Sequence, residues 1–297
     1  MDYSFSHYLL AKQSVDDRAL NQFVYSKLVE SLPSEPLRII EVGAVIGTML
    51  ARLLRWGLFE RAEYVLVDEM NENIEYAAGW LPGWAAENGL QVDVPGLNKL
   101  RLYDGQREIL VSLVCADVFD FIHSQPPSAD LLIAHAFLDL LNMPAGVREL
   151  FSLVKPGGLA WLTINFDGVT TFEPGIQPEL DCEIERLYHQ SMDTRPTGGD
   201  SQAGRHLFGH LSSLDAQILA AGASDWVVHA HTGHYPQDEA YFLNFILYFF
   251  ELSLQGHPGL DSTILRDWLV ERRAQVERAE LVYIAHQMDF LAKPAGA

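Results

Sequence analysis

Five polar side chains stand at or near the ends of apolar runs: Glu41 in residues 37–42, Asp68 after 64–67, Asp117 after 110–116, His135 after 129–134 and Asn165 within 159–166. Carboxylates, an imidazole and an amide on neighbouring strand ends can accept from hydroxyls and amines, hold a cation or move a proton. The chain is organised around the first of them, in residues 37–54, LRIIEVGAVIGTMLARLL. There the β-branched run of Ile39, Ile40 and Val42 breaks at Gly43 and Gly47, and Met49, Leu50, Leu53 and Leu54 follow at helical spacing. A strand, glycine turn and helix aim the unpaired N–H groups of the first helical turn at a ligand, which points to a nucleotide-like cofactor. A pyrophosphate would want a glycine where Val45 stands and a third glycine that is missing. Glu41 would repel a pyrophosphate and suits a cation.

S-adenosylmethionine carries an ammonium and a sulfonium. At this point the sequence resembles the class I, Rossmann-like S-adenosylmethionine-dependent methyltransferases, whose first motif runs acid-x-G-x-G-x-G. It stands here as Glu41, Gly43, Val45 and Gly47, with the central glycine replaced. Four further segments are similar in order: 64–68 (YVLVD) to the ribose-binding strand, 110–118 (LVSLVCADV) to the adenine-binding motif, 129–135 (ADLLIAH) to the strand ending beside the reacting methyl group, and 153–165 (LVKPGGLAWLTIN) to the Pro-Gly-Gly turn into the fifth strand. The resemblance implies S-adenosyl-L-methionine as cofactor, S-adenosyl-L-homocysteine as product, and a seven-stranded sheet with helices on both faces. It also implies site roles. Glu41 would take the ammonium through water, and the backbone of Gly43, Ala44 and Gly47 would wrap the methionyl part. Asp68, with Glu69 beside it, would accept the ribose hydroxyls. Asp117 would accept from the adenine amine while the Val118 N–H donates to a ring nitrogen. Because the sulfonium is already activated, transfer needs in-line positioning and, for an acidic acceptor, a base. His135 is the candidate base, against a plainer role in polar packing at the strand end.

Strands and helices alternate through residue 166, the pattern of a parallel α/β sheet whose ligands lie at the carboxyl ends of the strands. Ahead of it, residues 1–34 read as helical, with Ser14 as an N-cap before Asp16 and Asp17; the plainer reading is a helix packed on the sheet, and the resemblance implies a lid in which Lys12 or Arg18 would meet the methionine carboxylate. A helix at 71–84 should be stopped by Pro82-Gly83 and the Asn88-Gly89 turn, and Asp104-Gly105 within 99–114 marks a hairpin. Beyond the core at 35–166, a helix at 205–221, a sixth strand near 226–231, helices at 238–254 and 260–278 and a last strand at 281–291 are expected. The insertions 167–204 and 232–280 would cap the acceptor pocket, all within one domain, 1–297. Asn165, Tyr188, His189, Arg205 and His206 are the substrate candidates, with Asp193, Arg195 and Asp200 in the same group. For Arg205 an ion pair with Asp200 is the plainer expectation.

Composition narrows the partners. Among 297 residues, 40 acidic side chains face 20 basic ones, a formal charge of -20 that argues against nucleic acid or an anionic membrane. The two cysteines, Cys115 and Cys182, make no disulfide framework, and a cytoplasmic location is expected. The most apolar stretch, 240–254, is broken by Asn244 and Glu251 and too short to span a bilayer. A buried helix is its first reading and a homodimer contact its second. His229, His231 and His234 are weighed as metal ligands, but near a strand end in a chain with 11 histidines they need no metal, and none is expected. The expected function is S-adenosylmethionine-dependent methyl transfer to an oxygen, nitrogen or carbon of a small molecule (EC 2.1.1.-). The alternatives are a catalytically silent binding or regulatory protein with this fold and, disfavoured by the missing glycines, a nicotinamide-dependent oxidoreductase.

Overall fold

The computed structural model describes residues 3–195 and 198–295. Met1, Asp2 and Thr197, the last of these opening the glycine-rich run, lie outside the described residues. The strands are β1 (Leu37–Val42), β2 (Arg61–Asp68), β3 (Gln91–Gly96), β4 (Lys99–Tyr103), β5 (Glu108–Cys115), β6 (Ala129–His135), β7 (Val154–Glu173), β8 (Gln217–Ala223), β9 (Trp226–Val228) and β10 (Val282–Lys293). They form one sheet in the order β3-β4-β5-β2-β1-β6-β7-β10-β8, with β9 paired to β10. β5, β2, β1, β6 and β7 run parallel, and β10 enters antiparallel between β7 and β8. The expected seven strands are therefore present. The β3–β4 hairpin extends one edge and β9 adds a short tenth strand.

The helices are α1 (Phe5–Ala11), α2 (Gln13–Ala19), α3 (Gln22–Ser31), α4 (Thr48–Trp56), α5 (Asn71–Glu87), α6 (Val118–His123), α7 (Ala145–Phe151), α8 (Pro178–Asp193), α9 (Ala203–Ser213), α10 (Glu239–Leu254) and α11 (Ser262–Glu277). Alternation along the strands builds a core on each face of the sheet. Ile39, Tyr64 and Leu66 pack with Met49, Leu81 and the N-terminal helices, while Ile40, Val42, Val65 and Val67 pack with Phe121 and Leu150. In α10, Phe242, Leu243, Phe245, Ile246, Leu247 and Phe250 are buried within the chain.

Several boundaries differ from the sequence expectation, each for a physical reason. Helix α5 runs through Pro82 to Glu87, since Leu81 and Ala85 on its buried face supply packing that offsets the lost backbone bond. Ser14 is not a cap: Ser4 and Asn21 cap α1 and α3, and the Ser14 hydroxyl reaches Glu239 at 2.7 Å. The sixth strand is β8, earlier than residues 226–231. Helix α9 ends at Ser213, Asp215 turns with φ +53°, and the small residues of β8 pair with β10 while Gly222 admits the Asn21 side chain. Strand β7 runs on to Glu173 because β10 pairs along its whole outer half.

Candidate functional site

Val42 pairs with Val67 and with Ala134, so Gly43, Asp68 and His135 emerge side by side at the carboxyl rim, and His135 pairs in turn with Thr163 on β7. Around this rim the backbone is strained. Val45, Ala136 and Ile164 have φ of +44°, +50° and +55°, beside Gly43 at +60° and Gly47 at +79°. Left-handed conformations in β-branched residues are costly and persist where surrounding structure imposes them, often at functional sites. The surroundings impose them here. Asp68 accepts the Val45 N–H at 2.9 Å, and buried Asp289 accepts the Ile164 N–H at 2.7 Å. At Gly47 a Cβ would come within 2.8 Å of Leu66, so only glycine fits the turn into α4.

The carboxylates at the rim are not equivalent. Asp117 is exposed and caps α6 through one oxygen, which accepts the N–H groups of Phe119 and Asp120 at 2.8 and 3.2 Å. Asp68 is buried, and its two oxygens hold the N–H groups of Val45 and Met70 and the amide of Asn73. Three of its roughly four lone-pair sites are thus occupied within the chain. Glu41 lies beneath the turn and accepts from the Tyr64 hydroxyl at 2.7 Å; burial pushes its pKa up to about 8. Glu69 is exposed next to Asp68.

His135 is fixed at both nitrogens. Nε2 faces Asp16 at 3.0 Å and Nδ1 faces the Thr163 hydroxyl at 2.8 Å. A carboxylate only accepts, so Nε2 carries the hydrogen, and Nδ1 is left to accept from Thr163. Burial holds the imidazole near pKa 4, hence neutral around pH 7. Asp16 is the hub of this arrangement. It also lies 3.4 Å from Lys12 and 3.7 Å from fully buried Arg52, and takes the Trp226 indole N–H at 3.0 Å. Arg52 further donates to Asp17 at 2.5 Å. The N-terminal helices thus lie over the rim, with Lys12 inside them. Arg18 instead pins α2 to α10 through buried Glu239, at 2.5 and 2.9 Å.

The remaining sequence candidates scatter. Asn165 is buried in the ladder and donates to the Met288 carbonyl. Tyr188 stacks on Phe250 at 3.8 Å, and His189 meets the Thr170 hydroxyl at 3.0 Å. Arg205 pairs with Asp167 at 2.8 Å, not with Asp200, because its helix starts against Asn165 and Asp167 within β7; Asp200 pairs with His206 at 2.7 Å. His229 and His231 have ring centroids 4.3 Å apart, and among the described residues no three or more His, Cys, Asp or Glu side chains are grouped to hold a metal.

Asp16, Arg52 and Phe137 were not singled out by sequence reasoning. A signal existed for Asp16: with Lys12 it lies one turn apart on the helical face of Leu9, Val15 and Ala19, where charges are unexpected. Phe137 gave none, although its ring packs directly on Gly43, where an added Cβ would lie 2.4 Å away.

S-adenosylmethionine is the cofactor that such a rim implies, and the fit is divided. The exposed Asp117, with one oxygen free of chain partners among the described residues, and the Val118 N–H suit an adenine. At the other end the Phe137 ring covers Gly43, and Glu41, its pKa pushed up to about 8 by burial, is turned to Tyr64, so in this arrangement the methionyl part does not fit.

The sheet order, with its antiparallel strand next to the edge, defines the Rossmann-like methyltransferase fold. The candidate methyltransferase BH2331 of Bacillus halodurans C-125 is similar in structure, with a TM-score of 0.51 at 11% identity over 93% of this chain and 100% of that one. YjhP of Escherichia coli gives 0.48 at 13% identity over 97% and 99%, and a coclaurine N-methyltransferase bound to N-methylheliamine and SAH gives 0.45 at 9% over 91% and 71%. Neither a family model nor a curated protein matches the sequence.

Proposed function

We infer that the chain is an S-adenosylmethionine-dependent methyltransferase acting on a small molecule beneath its N-terminal helices. The observation that carries this reading is the gathering of left-handed backbone at Gly43, Val45, Ala136 and Ile164 around one rim that also presents Asp68, Asp117 and His135. Strain of that kind costs roughly 1–3 kcal/mol per residue and has no role in sheet packing alone. The cofactor supplies an activated methyl group. The chain's residues bind and orient: Asp117 and Val118 the adenine, Asp68 and Glu69 the ribose, and the backbone of Gly43, Ala44 and Gly47 the methionyl part, with Glu41 answering the ammonium once freed from Tyr64. His135 holds the lid through Asp16, and its Nε2 becomes available as a base only when that contact opens and the ring hydrogen moves to Nδ1, which then donates to the Thr163 hydroxyl. The 1–34 segment serves as lid, and the insertions at 167–204 and 232–280 as the acceptor cap. A cytoplasmic site of action goes with this reading; among the described residues no helix is long and apolar enough to cross a membrane.

A second reading, a binding protein without turnover, is favoured by the Phe137 ring on Gly43 and by the inward Glu41. Calorimetric titration with S-adenosylmethionine and S-adenosylhomocysteine separates the two. The enzyme reading expects both to bind wild type, binding to vanish in Asp68→Ala, and Phe137→Ala to bind more tightly. No binding by folded wild type or Phe137→Ala would overturn it. Binding without methylation of any acceptor in a broad screen would favour the second reading.

A further inference from the structure

Asp289 is fully buried in β10, and its two oxygens are aimed at two pieces of backbone that lie far apart in the sequence. Oδ2 accepts the Asn21 N–H at 2.8 Å, at the joint between α2 and α3, and Oδ1 accepts the Ile164 N–H at 2.7 Å, on the rim. The second bond sits in a bulge. Met288 pairs with Asn165 and Phe290 with Leu162, so Thr163 and Ile164 together oppose Asp289 alone. Ile164 stands there at φ +55°, and Thr163, just before it, meets Nδ1 of His135 with its hydroxyl at 2.8 Å.

These bonds close a ring. His135 reaches Asp16 in α2 at 3.0 Å, the Asp16 carbonyl takes the Leu20 N–H at 2.9 Å, and Asn21, next in the chain, returns to Asp289. The Asn21 side chain is engaged as well: Oδ1 caps α3 through the Val24 N–H at 3.0 Å, and Nδ2 donates to the Ala223 carbonyl at 2.8 Å. The foot of α2 is therefore fixed from below, while its body is held to the rim by His135. Burial lifts the Asp289 pKa to about 6, which leaves the carboxylate charged around pH 7. A charge withdrawn from water is costly, and two charge-assisted bonds to N–H groups offset part of that cost. Packing alone does not ask for it, since Phe290 and Leu291 beside it are apolar and fully buried. What the carboxylate adds is a tie between the bulge and the N-terminal helices.

We propose that Asp289 is a positioning residue of the rim: one buried carboxylate sets both the bulge that presents Thr163 to His135 and the joint on which α1 and α2 swing, so that lid seating and rim geometry adjust together. The word lid rests on the methyl-transfer reading; the ring of bonds does not. Hydrogen exchange of the full chain, followed by helix, tests the ring without any ligand. Asp289→Asn keeps the shape but leaves one oxygen for two N–H groups. Exchange across α1 and α2 should quicken by about tenfold while α5 and α11 stay as in wild type. In a His135→Ala background the same substitution should add less than about twofold, because the contact through which it acts is already gone. S-adenosylhomocysteine, bound under the lid, should leave Asp289→Asn about tenfold faster than wild type in stopped flow. Full additivity with His135→Ala, quickening spread evenly over α5 and α11, or unchanged release of bound S-adenosylhomocysteine overturns the proposal, since a merely structural Asp289 would give those results. Should Asp289→Asn fail to fold, Thr163→Val decides: it cuts the ring at His135 without touching Asp289, and exchange across α1 and α2 must quicken or the ring carries nothing. If α1 and α2 loosen as expected and S-adenosylhomocysteine does not bind, the anchoring stands and the methyl-transfer reading alone fails; if it binds while α1 and α2 are unmoved, the proposal alone fails.

Discussion

Asp117, Cys115 and Met70 face solvent at the ends of β5 and β2, while across the glycine turn Glu41, Asp16, Arg52 and His135 are withdrawn beneath the N-terminal helices. In the first region the Asp117 carboxylate keeps one oxygen free of chain partners among the described residues. In the second the charges answer one another: Asp16 serves Lys12, Arg52, His135 and Trp226 at once. Buried pairs contribute little net stability while intact but are costly to break, because the survivor is left uncompensated. On the proposed function, the comparison teaches that ligand recognition and lid closure would fall to different halves of one rim, so they should respond to different substitutions.

The sharpest test sets Asp16→Ala against Asp117→Ala. The first strands Lys12 in the interior, leaves His135 and the Trp226 indole without their acceptor and leaves Arg52 with Asp17 alone, and should cost about 3–5 kcal/mol in urea unfolding. The second removes an exposed cap and should cost about 1 kcal/mol, while still weakening S-adenosylhomocysteine binding. Equal stability losses would break the comparison. Next in size is a pH effect. Glu41 has its pKa raised from 4.5 to about 8 in the folded chain. Below the lower value both states are protonated and stability is intact. As pH rises between the two values the unfolded chain ionises first, so stability falls, and the fall ends above the folded value. Glu41→Gln should therefore gain on wild type steadily from pH 5 to 8 (about the window between the two pKa values), and parallel stability curves would refute the assignment. The smallest effect is Val45→Gly. Relief of a left-handed β-branched residue, worth about 1–3 kcal/mol, is partly offset by glycine's unfolded-state entropy of about 0.5–1 kcal/mol. A net gain of about 1 kcal/mol in urea unfolding is expected, and a loss would mean that the Val45 side chain packs better than its backbone suffers.

Most of the architecture was legible because it rests on local signals: the apolar runs of β1, β2, β5 and β6, Gly47 before α4 and Asp104-Gly105 before β5. What failed was set by distant partners. The alanine and glycine residues of β8 become a strand only because β10 and Asn21 receive them, and β7 continues past Phe166 only because β10 accompanies it. At the site, Asp68, Asp117 and His135 could be placed on the rim from their positions at strand ends. Their unequal availability could not, since it depends on Asn73 and Asp16, which are remote in sequence or carry no motif. Phe137 shows the same limit: an aromatic residue after a strand says nothing about which glycine it will cover.

On the proposed reading of residues 1–34 as a lid, the contact between His135 and Asp16 would also link that lid to a proton. Closed, the imidazole sits near pKa 4 with Lys12, Asp16 and Arg52 around it; lifted into water it would return toward 6.5, the ordinary histidine value. Between those values an open form would bind one more proton, so acidification would favour lifting the helices off the rim and alkalinity would favour seating them. Entry to the interior would then quicken as the pH drops through that window, an exchange of a hydrogen ion for a ligand across a single hinge of charge.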